Sequence, residues 1–347
     1  MIRRPDLGRR PRPRWRRRAL ALAGVVLCAA VASGCAGSPT SPQSRAPVVR
    51  VATVAGLSLP RAQLEAFTAR TGIRVEISTV PSDLQLASRV EDGRVRADIA
   101  IGLPAPNVSA LGESRALLPY TSTASGDGAV DFAYVRSNRL TAYSYDFVCA
   151  AFDASRTDAP APAHLSDFTR SEYRGQLTLP DPRRSSAGLA FVLAANDQTA
   201  PEGGDAWKTY WADLAANDAH LQPGAAPAGA VASTPLRVLS PSRAGVPNTE
   251  VIGSTCTRRV RYAGIIAGSR HVNQAKRLVD ALLAKGWQHT LPADGAFPVT
   301  TGVGVPARMR ALRQLWERNG ENNTDVAAAD TRMPAMLRTW AQAFRVE

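Results

Sequence analysis

Hydrophobic and polar positions along this chain switch repeatedly between a strand period and a helix period. Val49 to Val54 is an apolar run of strand length, and Leu59 to Arg70 follows with Leu64 and Phe67 on one helical face, closed by Gly72. Ile73, Val75 and Ile77 alternate as a strand does, Ser82 to Glu91 has helical spacing, and Ala97 to Leu103 (ADIAIGL) reads as a buried strand entering Pro104-Ala105-Pro106. Strand and helix in this order predict an α/β fold with a mostly parallel sheet covered on both faces. Farther on, Phe147 to Phe152 and Gln176 to Leu179 read as strands, with the apolar segment Leu189 to Ala195 behind the second. Trp207, Tyr210, Trp211 and Leu214 fall at i, i+3, i+4 and i+7, a helix face that reads as core. Residues 222–235 (QPGAAPAGAVASTP) carry no period and read as a connection. Arg259 to Ala267 returns to strand character, Val272 to Leu283 reads as a helix, and helical stretches over about 306–319 and 331–345 close the chain.

The segment 1–34 follows another rule. Nine arginines, Arg3 to Arg18, precede the apolar run Ala19 to Ser33, which is the order of an export signal. Helix over that run reaches only about 22 Å, short of a ~30 Å hydrocarbon core, so the run is not a lasting span. It ends in Ala32-Ser33-Gly34-Cys35, which resembles the bacterial lipobox and implies cleavage before Cys35 and acylation of its sulfur. Arg17-Arg18-Ala19-Leu20 is a partial twin-arginine pattern and leaves the export route open. Residues 35–48 are rich in Gly, Ser and Pro and read as a flexible tether. Once segment 1–34 is removed, the 42 basic and 29 acidic residues fall by nine and one, so the net charge drops from +13 to +5. That mild excess argues against nucleic acid and is compatible with an anionic ligand.

The inventory for catalysis is thin. The four histidines (His164, His220, His271, His289) stand apart, there is no HExxH, CxxC or GxSxG, and Gly302-Val303-Gly304 is a fragment of a dinucleotide fingerprint only. The expectation is a protein that is not an enzyme, with no cofactor and no metal site. Cys149 and Cys256 remain in the exported body, either as a disulfide or as two buried thiols.

One segment carries chemistry. Leu179-Pro180-Asp181-Pro182-Arg183-Arg184-Ser185-Ser186-Ala187-Gly188 follows a strand and opens an apolar segment, where a starting helix would offer unpartnered amides to an anion. Ser185 or Ser186 as a plain helix cap fits the same residues.

This segment, with three others, resembles the thiamine-binding periplasmic proteins of ABC importers, within the type II solute-binding class. Ala97 to Leu103 is similar to that family's ADVVLGL-like strand, Tyr145-Asp146-Phe147 through Asp153 to its DYGYFAFVYD-like strand, and Asp181 to Gly188 to its DPRTSTPGLG-like loop. Phe297-Pro298-Val299 matches a YPV-like turn. The resemblance runs from about residue 49 to the C-terminus. It implies a two-lobe α/β fold of the type II periplasmic-binding-protein kind, with residues 49–153 plus 258–347 forming one lobe with the C-terminal helices, 154–257 the other, and a ligand cleft between them. By its terms Ser185, Ser186 and Gly188 hold an anionic group with help from Arg183 or Arg184. Gly56, Ser58, Asp83, Gly102, Tyr145, Asp146 and Phe297 are candidates for the opposite wall. Cys149 and Cys256 fall near the strands that join the lobes. The implied protein is a monomeric, lipid-anchored, extracytoplasmic receptor that hands thiamine or a thiamine phosphate to a membrane permease. Another anionic solute, a phosphonate or a polyamine on the same fold remains open, as does a sensor lipoprotein without transport.

Overall fold

The computed structural model describes residues 46–134, 137–200, 204–222, 234–242, 249–319 and 333–346. Cys35 and the connection 223–233 lie outside them. In chain order the elements are β1 (Val48–Val54), α1 (Arg61–Thr71), β2 (Arg74–Val80), α2 (Asp83–Glu91), β3 (Ile99–Pro104), α3 (Val108–Glu113), β4 (Leu117–Leu118), β5 (Thr141–Phe152), β6 (Leu177–Pro180) and α4 (Ser186–Thr199). They continue with α5 (Ala206–Ala216), β7 (His220–Gln222), β8 (Leu236–Leu239), β9 (Glu250–Ile266), α6 (Val272–Leu283), α7 (Lys285–Gln288), β10 (Phe297–Pro298), α8 (Ala307–Arg318) and α9 (Met333–Ala343).

Local chemistry sets several of these boundaries. Ser82 caps α2 by accepting from the Gln85 amide, and Gly72 ends α1 in the left-handed conformation, φ 71°, that glycine adopts without a Cβ clash. The strands form one sheet in the order β2-β1-β3-β9-β5-β8-β6-β7, with β4 added beside β9 and β10 beside β5. The expected mostly parallel sheet is corrected here. Pairs β1–β2, β1–β3, β6–β7 and β6–β8 are parallel, but β5 and β9 run antiparallel to each other, β9 antiparallel to β3, and β5 antiparallel to β8. The physical reason is the connection: β5 carries the chain from one parallel set to the other and β9 carries it back.

These two strands are longer than their apolar patterns predicted, 12 and 17 residues, because polar rungs continue the ladder where apolar periodicity stops. The interior divides into two hydrophobic clusters. One gathers Val51, Phe67, Leu86, Ile99, Leu111, Leu278 and Leu282 around β1 to β3, and the other gathers Phe152, Phe168, Leu179, Phe191, Trp211 and Leu236 around β6 and β8, joined by Trp340 of α9. Between them the β5–β9 ribbon is left with polar residues on one face.

Candidate functional site

The ribbon's side chains alternate faces. On β5, Ser144, Asp146 and Val148 pair with Arg261, Arg259 and Thr257 of β9, so one face carries a polar ladder through the middle of the sheet. Asp146 is fully buried at 0% exposure, and Arg259 grips it with two hydrogen bonds, Nε to Oδ1 at 2.9 Å and Nη2 to Oδ2 at 2.7 Å. Arg261 Nη2 donates to the same Oδ2 at 2.8 Å.

Two helices bring further groups to this face. The third guanidinium nitrogen, Arg259 Nη1, donates to Ser186 Oγ at 2.7 Å. Ser186 begins α4, and its hydroxyl in turn donates to the Asp83 carboxylate at the start of α2. Asp83 Oδ2 lies 3.9 Å from Arg259 Nη1. Asp83 is supplied by the β1–β3 side and Ser186 by the β6–β8 side, so the two sides meet over Arg259. Burial alone would lower the Arg259 pKa, but the charge and hydrogen bonds of Asp146, with Asp83 beyond, overcome it and hold the pKa above its ordinary value. A buried arginine is thereby kept charged and aimed at a serine on a helix N-terminus, a donor pair suited to an oxyanion.

Of the anticipated anion-holding residues, the structure brings Ser186 into this network. Ser185 and Gly188 engage each other: Ser185 Oγ accepts from the Gly188 amide at 3.3 Å and caps α4. Gly188 is required for a packing reason, since a Cβ there would lie 2.2 Å from the Pro180 carbonyl oxygen. Arg183 folds onto Asp181, with Nη2 to Oδ2 at 2.8 Å and Nε to Oδ1 at 3.0 Å, and lies over the Trp340 ring at 5.8 Å. Burial acts to raise the Asp181 pKa, but the hydrogen bonds and charge of Arg183 outweigh it and hold the carboxyl below its ordinary range. Arg184 is exposed.

The opposite-wall candidates divide. Asp83 and Asp146 belong to the network, whereas Tyr145 and Phe297 sit on the reverse face of the ribbon. There Tyr145 stacks between Phe132 and Phe297 at 4.8 and 4.9 Å, and Phe147 packs against Phe297 and Trp316. Alternation of β5 forces this separation of Tyr145 from Asp146. Gly56 and Ser58 are exposed in the turn after β1. Gly102 has φ 103° at the irregularity of the β3–β9 ladder, where a Cβ would meet Leu57 Cδ2 at 2.8 Å.

The sequence reading missed Arg259, Arg261 and Ser144. The signal was present in Thr257-Arg258-Arg259-Val260-Arg261, where polar residues recur at every second position of a strand too apolar at its end to be exposed. Among the described residues, no group of three or more His, Cys, Asp and Glu is placed to hold a metal ion, and no helix is long and apolar enough to cross a membrane.

Comparison with known proteins supports the architecture. Residues 110–245 match the sequence profile of the family described as bacterial extracellular solute-binding protein. A periplasmic thiamin binding protein superimposes with a TM-score of 0.70 at 18% identity, covering 86% of this chain and 96% of its own. The fold is that of type II periplasmic binding proteins. The periplasmic binding protein AfuA from Actinobacillus pleuropneumoniae, with fructose-6-phosphate bound, aligns with a TM-score of 0.67 at 16% identity over 87% of this chain and 99% of its own. The apo ferric ion-binding protein A of Pasteurella haemolytica gives 0.67 at 15% identity over 86% and 98%. Among curated proteins, none matches the chain in sequence.

Proposed function

We propose that this protein is the lipid-anchored, extracytoplasmic solute receptor of an ABC importer, and that its ligand is a small molecule bearing a phosphate or comparable anion. The observation that carries the reading is the carboxylate of Asp83, held by Ser186 and close to Arg259 at the start of α4. An anionic group of the ligand takes the place of that carboxylate. Arg259, locked by Asp146, donates from the ribbon, and Ser186 donates from the helix start, where the dipole adds positive potential. Because Asp83 and Ser186 come from opposite sides, a ligand that contacts both stabilises the closed form by its differential affinity, and a permease reads that closure.

Thiamine and its phosphates are the first compounds to test. The resemblance of Asp181 to Gly188 to the thiamine-binding family and the thiamin-binding structural neighbour support them, while the fructose-6-phosphate neighbour supports phosphate recognition as such. The test is a thermal-shift screen followed by calorimetry with thiamine, its mono- and diphosphate, sugar phosphates, phosphonates and polyamines. Phosphorylated compounds should bind, and Ser186→Ala should weaken them by about ten-fold or more, the worth of one charge-assisted hydrogen bond. If only neutral or cationic compounds bind, with the same affinity in Ser186→Ala, the network is structural and the reading fails.

A further inference from the structure

Arg261 shares the polar face of the ribbon with Arg259, is not used by the proposed anion site, and has one end with nothing to hold. Its Nη2 is occupied by Asp146 at 2.8 Å, while Nη1 is buried without a hydrogen-bond partner among the described residues. Ser144, the residue opposite Arg261 in the β5–β9 ladder, buries its hydroxyl in the same condition. Arg261 is 6% exposed and Ser144 1%. Buried polar groups are nearly always paired, and leaving a donor unpaired costs its full desolvation, so two such groups on facing residues of neighbouring strands are open to a ligand that pairs both. A guanidinium has donors only, so that partner is an acceptor, and the charge favours an anion.

We propose that Arg261 and Ser144 form a second oxyanion subsite beside Ser186 and Arg259, and that the ligand carries two oxyanion groups close together, as diphosphates do. The inference rests on the reading of Ser186 and Arg259 as the first anion site. Geometry links the two subsites. Asp146 Oδ2 takes Nη2 of Arg259 at 2.7 Å and of Arg261 at 2.8 Å, so one carboxylate orients both arginines. Their rungs are two residues apart on one face, about 7 Å along the strand, which is a span that neighbouring phosphoryl groups bridge with their outer oxygens. With Asp83 displaced, the first anionic group balances the surplus of the two guanidinium groups over Asp146, and the second is held by hydrogen bonds from Arg261 Nη1 and Ser144 Oγ. The sequence Arg259-Val260-Arg261 therefore presents two forks from one strand, each able to receive a phosphoryl oxygen.

The test is calorimetric titration of the exported protein with inorganic phosphate and with pyrophosphate, for the parent, Arg261→Gln, Ser144→Ala and Ser186→Ala. The parent should bind pyrophosphate at least about ten-fold more tightly than phosphate, a difference of one added charge-assisted contact. Arg261→Gln and Ser144→Ala should each shrink that ratio while leaving phosphate affinity nearly unchanged, and Ser186→Ala should weaken both probes. Ser144→Ala removes a hydroxyl with no bonded partner among the described residues, so it keeps the experiment decisive even if Arg261→Gln does not fold. A parent that binds both probes equally, or variants that lose both in proportion, would overturn the second subsite and leave the Ser186 site standing. Failure of both probes to bind the parent would overturn both.

Discussion

Ser185 and Ser186 are adjacent in sequence and serve different partners. From sequence either serine fits a cap or an anion contact, because both roles ask for a hydroxyl at a helix start. The fold separates them, giving Ser185 to the Gly188 amide and Ser186 to Asp83 and Arg259. Asp181 shows the same economy at the loop's other end, where its carboxylate is neutralised by Arg183 and not by solvent. Its folded-state pKa is lowered, so it contributes stability that is complete above its unfolded value, about 3.9, and is lost as pH falls through the lower folded value. Urea unfolding of the parent and of Asp181→Asn should therefore differ by a constant amount from pH 7 to about 5, and the difference should shrink below about pH 4. A difference that grows on acidification would contradict the ion pair.

At the scale of elements, the sequence made α1, α2, α5, α6, α8 and α9 readable, because each carries apolar residues at helical spacing or a cap that ends it. The strand ribbon was read short. Thr141 to Asp146 and Glu250 to Arg258 hold polar residues on both faces, and apolar alternation cannot reveal a ladder whose side chains are polar. The same ribbon carries the Cys149–Cys256 disulfide, which joins positions separated by 107 in the chain. It lies where β9 sets residues 253–256 against Cys149 alone, between the pairs Val148–Thr257 and Ala150–Ile252. The disulfide thus pins the two strands where their ladder is irregular. Replacing both cysteines by serine should lower stability by about 2–5 kcal/mol, read as a fall in the urea midpoint with a somewhat steeper slope as the unfolded chain expands. An unchanged midpoint would show that the ladder holds the ribbon without the cross-link.

At the scale of the whole molecule, the alternation of strands and helices gave the α/β class, and the resemblance in Asp181 to Gly188 pointed to the start of α4. What remained hidden was the floor of the candidate site. Its arginines are remote from the loop in sequence, Arg259 standing 73 positions after Ser186, and they reach it only because β9 returns beside β5. The reading of the chain as a tethered receptor adds a separate expectation for segment 1–34 and the cysteine that follows it. Cys35→Ser should move the protein from the membrane fraction to the soluble one, and the parent's intact mass should include a diacylglycerol. A parent of plain mass, with the variant fractionating as it does, would remove the lipid anchor and leave the anion site untouched.

On the proposed function, an anion displaces Asp83 at the meeting of α2, α4 and the ribbon. The most direct measurement is a crystal structure of the exported protein with the tightest-binding phosphorylated compound from the screen. Its phosphate should lie within hydrogen-bond distance of Ser186 Oγ and Arg259 Nη1, with Asp83 turned away from both. A phosphate bound elsewhere, with the Asp83–Ser186–Arg259 contacts intact, would contradict it.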